Sequence, residues 1–264
     1  MVFGLLFISK PLKVNKTRAI RKYYEFLKCS VPKIINPAVN LHLKGEHYKI
    51  ISGITDFKEL ETLYQSFPPE GGQVPHHTNR DKRNKIILGL LVYQAINTEE
   101  LSKLETYHVK LKEGKIYIPG NRRRNSRTLE LKPFQILELH EYLTEIRSQI
   151  LAEIKKPKPF GRKPDKINMT RLKDQLFISV NGSENIKHSL LHLFGAIRKK
   201  HPAITNAVLV RQSEITHWLK TMNLRQVQYM AGHKHVSSTE RYKLNNLDNL
   251  QSKLEKYHPL NNNR

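Results

Sequence analysis

The stretch 208–242, VLVRQSEITHWLKTMNLRQVQYMAGHKHVSSTERY, decides how the rest of the chain is read. Arg211 opens an apolar helical face that runs on through Ile215, Trp218, Leu219 and Met222. A guanidinium in the first turn of a buried stripe is costly without a partner, and its fork suits either two phosphate oxygens or a core carboxylate. Leu224, Val227 and Met230 mark a second helix, stopped by Gly232 in a left-handed cap, so His233 sits where that cap puts it. Ser237 to Glu240 reads S-x-x-E, a capping box that opens one more short helix and places Tyr242 on its first turns beside Arg241. A tyrosine there is ordinarily a packing residue. Its spacing from a capped histidine and a helix-opening arginine makes it a candidate nucleophile.

Composition narrows the partner. The 264 residues carry 46 Lys+Arg against 23 Asp+Glu, a formal charge of +23 with a pI near 10.0, and 38% hydrophobic residues still supply a core. Such a chain is expected to meet a polyanion, driven by counterion release from nucleic acid. Cys29 is the only cysteine, which excludes an intrachain disulfide and a cysteine-rich zinc site. His76-His77 and His233-x-His235 lack the cysteines or carboxylates that would complete a metal site, so no metal is expected. The apolar opening Met1–Ile8 has no preceding basic region or small-residue cleavage site, and no run approaches the roughly 18 apolar residues of a membrane span. A soluble cytoplasmic protein is expected, bound to no membrane and acting on no small-molecule substrate.

Working outward from 208–242, Ser183 is expected to open an amphipathic helix through Ile186, Leu190, Leu193 and Ile197, and Leu176–Ile178 a short strand. The segment from Lys155 to Lys173 is rich in Lys and Pro and reads as a loop or disordered insert, with Lys155, Lys156 and Lys158 as phosphate contacts or simply solvated. Pro133 begins a long helix with Ile136, Leu137, Leu139 and Leu143 inward. Before it come three strand-like runs, 109–111, 116–118 and 128–131, the last two joined by PGNRRRNSR, a basic hairpin tip. Arg122, Arg123, Arg124 and Arg127 are therefore candidate nucleic-acid contacts, or a solvated turn. Thr98 is placed as the cap of a short helix, and Thr78 as the start of a central one through Ile86, Ile87, Leu90, Leu91 and Tyr93. Upstream, a helix from Thr17 presents Ile20, Tyr23, Tyr24 and Leu27, and a second from Asp56 buries Leu60, Leu63, Tyr64 and Phe67. Pro68-Pro69 and Gly71-Gly72 read as a linker. The fold class is mainly α with a small antiparallel sheet, a short helical domain over 1–70, a linker over 71–76 and a larger domain over 77–264.

The pattern R-x21-H-x8-Y formed by Arg211, His233 and Tyr242 resembles the tyrosine recombinases, the phage-integrase family. LRQVQYMAGHKHVSSTERY is similar to the family's LGH segment and nucleophile helix, VYQAINTEELSKL to its segment around the first arginine, and KIYIPGNRRRNSRTLEL to its lysine-bearing strand pair. The resemblance covers about 77–259. It implies an integrase-like catalytic domain behind a helical DNA-binding domain, which at two readable helices against the family's four or so is abbreviated or truncated. It also implies double-stranded DNA as partner, and self-association through a C-terminal helix carrying Leu247, Leu250, Leu254 and Tyr257, unless that helix packs on its own core.

The implied chemistry is strand cleavage without metal or cofactor. Tyr242 would attack the scissile phosphate, leaving a 3′-phosphotyrosine and a free 5′-hydroxyl. Arg211 and His233 would surround the phosphorane with charge and donors. Three positions depart from the family pattern. Asn97 stands for its first arginine, Val208 for the histidine of H-x-x-R, and Asn121 or Arg122 for the hairpin lysine. Arg122, Arg123 and Arg124 could supply the missing charge, although a guanidinium holds its proton too tightly to serve as a general acid, which leaves water or His235 to protonate the leaving oxygen. Three readings follow: a recombinase for a mobile element, a catalytically impaired relative that occupies recombination sites, or an unrelated basic RNA binder.

Overall fold

The computed structural model describes residues 10–41, 53–67, 75–156, 168–180 and 182–243, with side chains from Asn15 in the first segment and Thr78 in the third. Contacts divide the chain into two units, Met1–Lys49 and Ile50–Arg264. In the first, α1 (Lys10–Ser30) is followed by a turn region held by its own polar groups. Arg21 donates to the carbonyls of Ala38 at 2.8 Å and Leu41 at 2.6 Å, and Asn36 Oδ1 accepts from Ala38 N–H at 3.0 Å. The helix begins well before Thr17, because Pro11 falls in its first turn, where a missing N–H costs nothing. Ile20 and Tyr23, expected on an inner face, are exposed.

The second unit starts before the expected linker, so α2 (Phe57–Gln65) belongs to it. Asp56 is its N-cap residue, but its side chain makes no capping bond. Leu60, Leu63, Tyr64 and Phe67 are buried as expected, and the helix packs on α3 (Pro75–Tyr93) and α9 (Ala207–Thr221). Just before α2, Thr55 N–H donates to Ser213 Oγ at 3.0 Å. α3 carries Ile86, Ile87, Leu90 and Leu91 fully into the core and is its central rod. α4 (Thr98–Lys103) follows it. Among the described residues the sheet has three antiparallel strands in the order β1 (Val109–Lys110), β2 (Lys115–Ile118), β3 (Arg127–Glu130). Ile116 pairs with Val109 on one side and Leu129 on the other.

α5 (Pro133–Glu141), a π-helical turn (Tyr142–Ile146) and α6 (Arg147–Lys155) follow as one rod. Its buried stripe is Gln135, Leu139, Tyr142, Ile146, Ile150 and Ile154. Leu137, expected inside, is 73% exposed because two residues from Leu139 is about 200° around a helix. The polar Gln135 takes an inner place because it exchanges amide hydrogen bonds with Gln94 at 2.8 and 2.9 Å. Met169–Asp174 forms a short helix, α7, where a loop was expected, with the Asn168 side chain accepting from Arg171 N–H. Leu176, Phe177 and Ile178 are buried without forming a strand. Their backbone is met piecemeal instead: Leu176 N–H donates to Leu104 O at 2.8 Å, and the side chains of Tyr142 and Arg83 donate to Leu176 O at 2.9 Å and to Ile178 O at 2.6 Å. α8 (Lys187–Lys200) starts later than Ser183 but buries Leu190, Leu193 and Ile197 as expected. The chain then runs through α9, α10 (Leu224–Ala231) and α11 (Val236–Lys243). Among the described residues no helix is long and apolar enough to cross a membrane. Residues 247–257, Lys158 and His76-His77 side chains lie outside what is described.

Within α9, Glu214 is a buried carboxylate with Oε2 unpartnered, on the wall of a cavity of about 710 Å³. Burial raises its pKa to about 8, against the opposing effects of the Trp218 indole and Lys132. The folded state therefore binds a proton that the unfolded chain releases at ordinary carboxylate pH. This contribution to stability is complete below the unfolded pKa and is lost as pH rises through about 8. Glu214→Gln is expected to melt as the wild type does at pH 4 and at least about 2 °C higher at pH 9, measured by thermal unfolding.

Candidate active site

The start of α4 sets a carboxylate in place. Asn97, rather than Thr98, is the N-cap: its Oδ1 accepts from Glu99 and Glu100 N–H at 2.7 and 2.9 Å, and its own N–H donates to Glu100 Oε2 at 3.0 Å. Asparagine outranks threonine as a cap, and a glutamate three residues on completes the box. Glu100 then receives both terminal nitrogens of Arg127, at 2.8 and 3.0 Å. Arg124 Nε and Arg211 Nη1 each stand 3.9 Å from it. Burial opposes its charge, but the hydrogen bonds and charge of Arg127, then the charge of Arg211, more than offset this and hold its pKa below the ordinary carboxylate range. Three guanidinium groups against one carboxylate leave a local excess of positive charge.

Arg127 was expected to touch nucleic acid, and the structure corrects this. It is 2% exposed, turned inward from β3 and committed to Glu100. Arg211 is also buried, at 4%. It donates to Ala231 O at 2.6 Å and to Ala95 O, with Glu100 behind them. Ala95 has φ 46°, a left-handed conformation that costs a non-glycine residue roughly 1–2 kcal/mol. It sits in a small second core with Ile215, Trp218, Val227 and Ala231, against which Tyr242 packs. That core ties the arginine helix to the tyrosine helix.

The hairpin between β2 and β3 is docked on the end of α10. Asn121 and Arg124 exchange backbone hydrogen bonds at 2.9 and 3.3 Å, Arg124 bridges to His233, and Asn125 N–H donates to Gly232 O at 3.0 Å. Gly232 adopts φ +68°, and a Cβ there would lie 2.4 Å from Arg127 Nη1. Glycine is thus required twice over, by conformation and by the buried arginine beside it. His233 is 8% exposed, with Nδ1 2.9 Å from Thr239 Oγ1 and its ring stacked on Tyr242 at 5.9 Å and 16°. Burial, then Arg211, Arg124 and Arg127, push its pKa down to about 3, so at neutral pH the imidazole is uncharged. α11 begins at Val236, one residue before the expected cap Ser237, as Ser238 N–H closes on His235 O at 3.1 Å.

These residues enclose a cleft of about 330 Å³, lined by Tyr242, His233, His235, Arg123, Arg124 and Arg241 among others, with Asn97 and Gln212 on its wall. Arg122 is exposed and not among the lining residues, and Lys155 and Lys156 are exposed at the end of α6. Arg211 does not line the cleft either, although its charge is felt at His233. Sequence reading missed Glu100, Thr239 and the strained Ala95. The Asn97-x-x-Glu100 spacing was the available signal for the first, since it is a capping box in its own right.

The sequence model of the phage integrase family matches residues 55–248, most of the chain. The chain belongs to the phage integrase family. Its helical fold carries a small antiparallel sheet. The tyrosine recombinase XerC of Staphylococcus epidermidis is 25% identical over 236 residues, covering 86% of this chain and 69% of that protein. XerC of Bacillus licheniformis is 25% identical over 253 residues, covering 93% and 74%. Among solved structures, XerA recombinase superposes with a TM-score of 0.52 at 17% identity, covering 94% of this chain and 76% of that one. The Tn1549 transposon integrase, in complex with transposon right end DNA, gives 0.54 at 17% identity, covering 95% and 80%. The family match takes in α2, in agreement with the packing that places this helix in the second unit.

Removing one member of a buried ion pair typically costs about 3–5 kcal/mol. Glu100→Gln is therefore expected to lower the free energy of urea unfolding by about that much. A loss under about 1 kcal/mol would show that Glu100 does not hold the arginines together.

Proposed function

We propose that this chain cuts and rejoins double-stranded DNA by transesterification through Tyr242, serving recombination or integration of a mobile genetic element. The observation that carries this is the stacking of the Tyr242 ring on a capped, uncharged His233 in a cleft with surplus arginine charge. In the forward step the phenol oxygen forms a bond to phosphorus while the bond to the 5′-oxygen breaks. The phenol loses its proton and the departing oxygen gains one, giving a 3′-phosphotyrosine and a 5′-hydroxyl. Attack by a second strand's 5′-hydroxyl reverses the step, so the ester bond is conserved and no nucleotide is hydrolysed.

The residues divide this work by their surroundings. His233 can donate a hydrogen bond to a phosphate oxygen from Nε2 when the Thr239 hydroxyl donates to Nδ1, and positioned donors of this kind stabilise the phosphorane. Arg211 acts as a buried positive charge behind the cleft, fixed by the carbonyls of Ala95 and Ala231. His235, exposed on the lining, would exchange a proton with the leaving oxygen directly or through water. Arg123, Lys155 and Lys156, all exposed, would contact the DNA backbone outside the reacting phosphate.

The test is capture of the covalent intermediate. A pool of nicked duplexes of random sequence is incubated with the protein, denatured in detergent, and the protein-linked DNA is recovered and sequenced. An adduct with enriched sequences is expected, lost at least 10³-fold in Tyr242→Phe. Salt-sensitive binding with no adduct would mean that the chain occupies DNA without cutting it.

A further inference from the structure

We infer that Arg124, alone of the three hairpin arginines, is the residue that directly grips a non-bridging oxygen of the phosphate in the cleft. This rests on reading the cleft as a phosphate site and specifies which side chain holds the anion.

The three arginines are not equivalent. Arg122 and Arg123 are exposed, whereas the Arg124 side chain is only 25% exposed and its backbone is fixed on both sides, by Asn121 and by the bridge to His233. Its guanidinium stands near Glu100, but that carboxylate is already engaged. Oε1 accepts from Arg127, and Oε2 accepts from Arg127 and from Asn97 N–H. Arg124 Nε reaches Oε1 only at 3.9 Å, too far for a hydrogen bond. Its Nη1 is shielded from solvent and has no acceptor. A buried donor on a charged group is costly to leave unmade, and a turn of the Arg124 side chain, which lines the cleft, would present it to an entering anion.

Arg123, Lys234 and Arg241 also line the cleft but are exposed, and the inner neighbours cannot take this role. Asn97, on the same wall, spends its side-chain oxygen on capping α4 and carries no charge. Arg127 and Arg211 have committed their terminal nitrogens to Glu100 and to backbone carbonyls. Arg124 is thus the cleft-lining guanidinium, among the described residues, with a shielded nitrogen still free to bond. The arrangement delivers a phosphate ligand from the hairpin, not from the start of α4.

Tungstate, a tetrahedral dianion visible by anomalous scattering, tests this on the full chain. In soaked wild-type crystals the tungsten peak is expected within hydrogen-bond reach of Arg124 Nη1. In solution, titration followed by the His233 ring resonances is expected to give a dissociation constant at least tenfold weaker for Arg124→Ala and within twofold of wild type for Arg122→Ala. A peak elsewhere or no peak overturns the inference whether or not the variant folds, as does wild-type affinity in folded Arg124→Ala. Adduct formation separates the two claims. Tungstate at Arg124 without any DNA adduct keeps this assignment and sinks the catalytic one. An Arg124→Ala protein that cleaves at the wild-type rate does the reverse, since loss of such a contact is expected to cost about 10²–10³ in rate.

Discussion

One buried carboxylate among three arginines sets the terms for the rest of the second unit. Glu100 is held by the α4 capping box, binds Arg127 through both oxygens and lies 3.9 Å from Arg124 and Arg211. Because its own charge is retained, the three guanidinium groups can sit side by side in the interior. Two of them then fix different elements, Arg127 anchoring β3 and Arg211 tying α9 to the carbonyls ending α3 and α10, while the backbone at Arg124 docks the hairpin on the Gly232–His233 corner. The cleft is what remains where these elements meet.

The same charge balance shapes the chemistry. Burial first, and the excess positive charge second, keep His233 neutral far below its usual range. In the proposed reaction it would serve as a hydrogen-bond partner, not as a cation, donating from Nε2 when the Thr239 hydroxyl donates to Nδ1. On the proposed reading the positive charge for a phosphate would come from arginines, which stay protonated at neutral pH. A negative phosphate would raise the His233 pKa on arrival, so the imidazole and the anion are coupled without any change in fold.

Much of this was legible in the sequence where one residue type does one job. Apolar periodicity located α3, α9 and α10, and Gly232 marked a left-handed cap because it stops the periodic run of Leu224, Val227 and Met230. The spacing of Arg211, His233 and Tyr242 pointed to one site, and the cleft gathers the last two with Arg211 behind them. What the sequence could not separate is charge that faces solvent from charge that faces another residue. Arg127 and Arg124 belong to the same basic run as Arg122 and Arg123, yet the first is sealed on Glu100 and the second half-buried, since strand register and not composition decides which arginine turns inward. Leu137 and Gln135 exchange expected places for a similar reason: an amide pair with Gln94 makes a polar residue the better inner neighbour. The 176–178 run reads as a strand by its residues but finds side-chain donors where a strand would need a partner.

The central claim is that the Glu100-centred scaffold presents Tyr242 as the atom that bonds to DNA. Mass mapping of the peptide left on DNA after proteolysis of the captured adduct tests it most directly. The account predicts a single modified residue, Tyr242, joined to a 3′-phosphate with a free 5′-hydroxyl on the other strand end. A link to Tyr229, which is exposed on the preceding helix, or to a 5′-phosphate would contradict it.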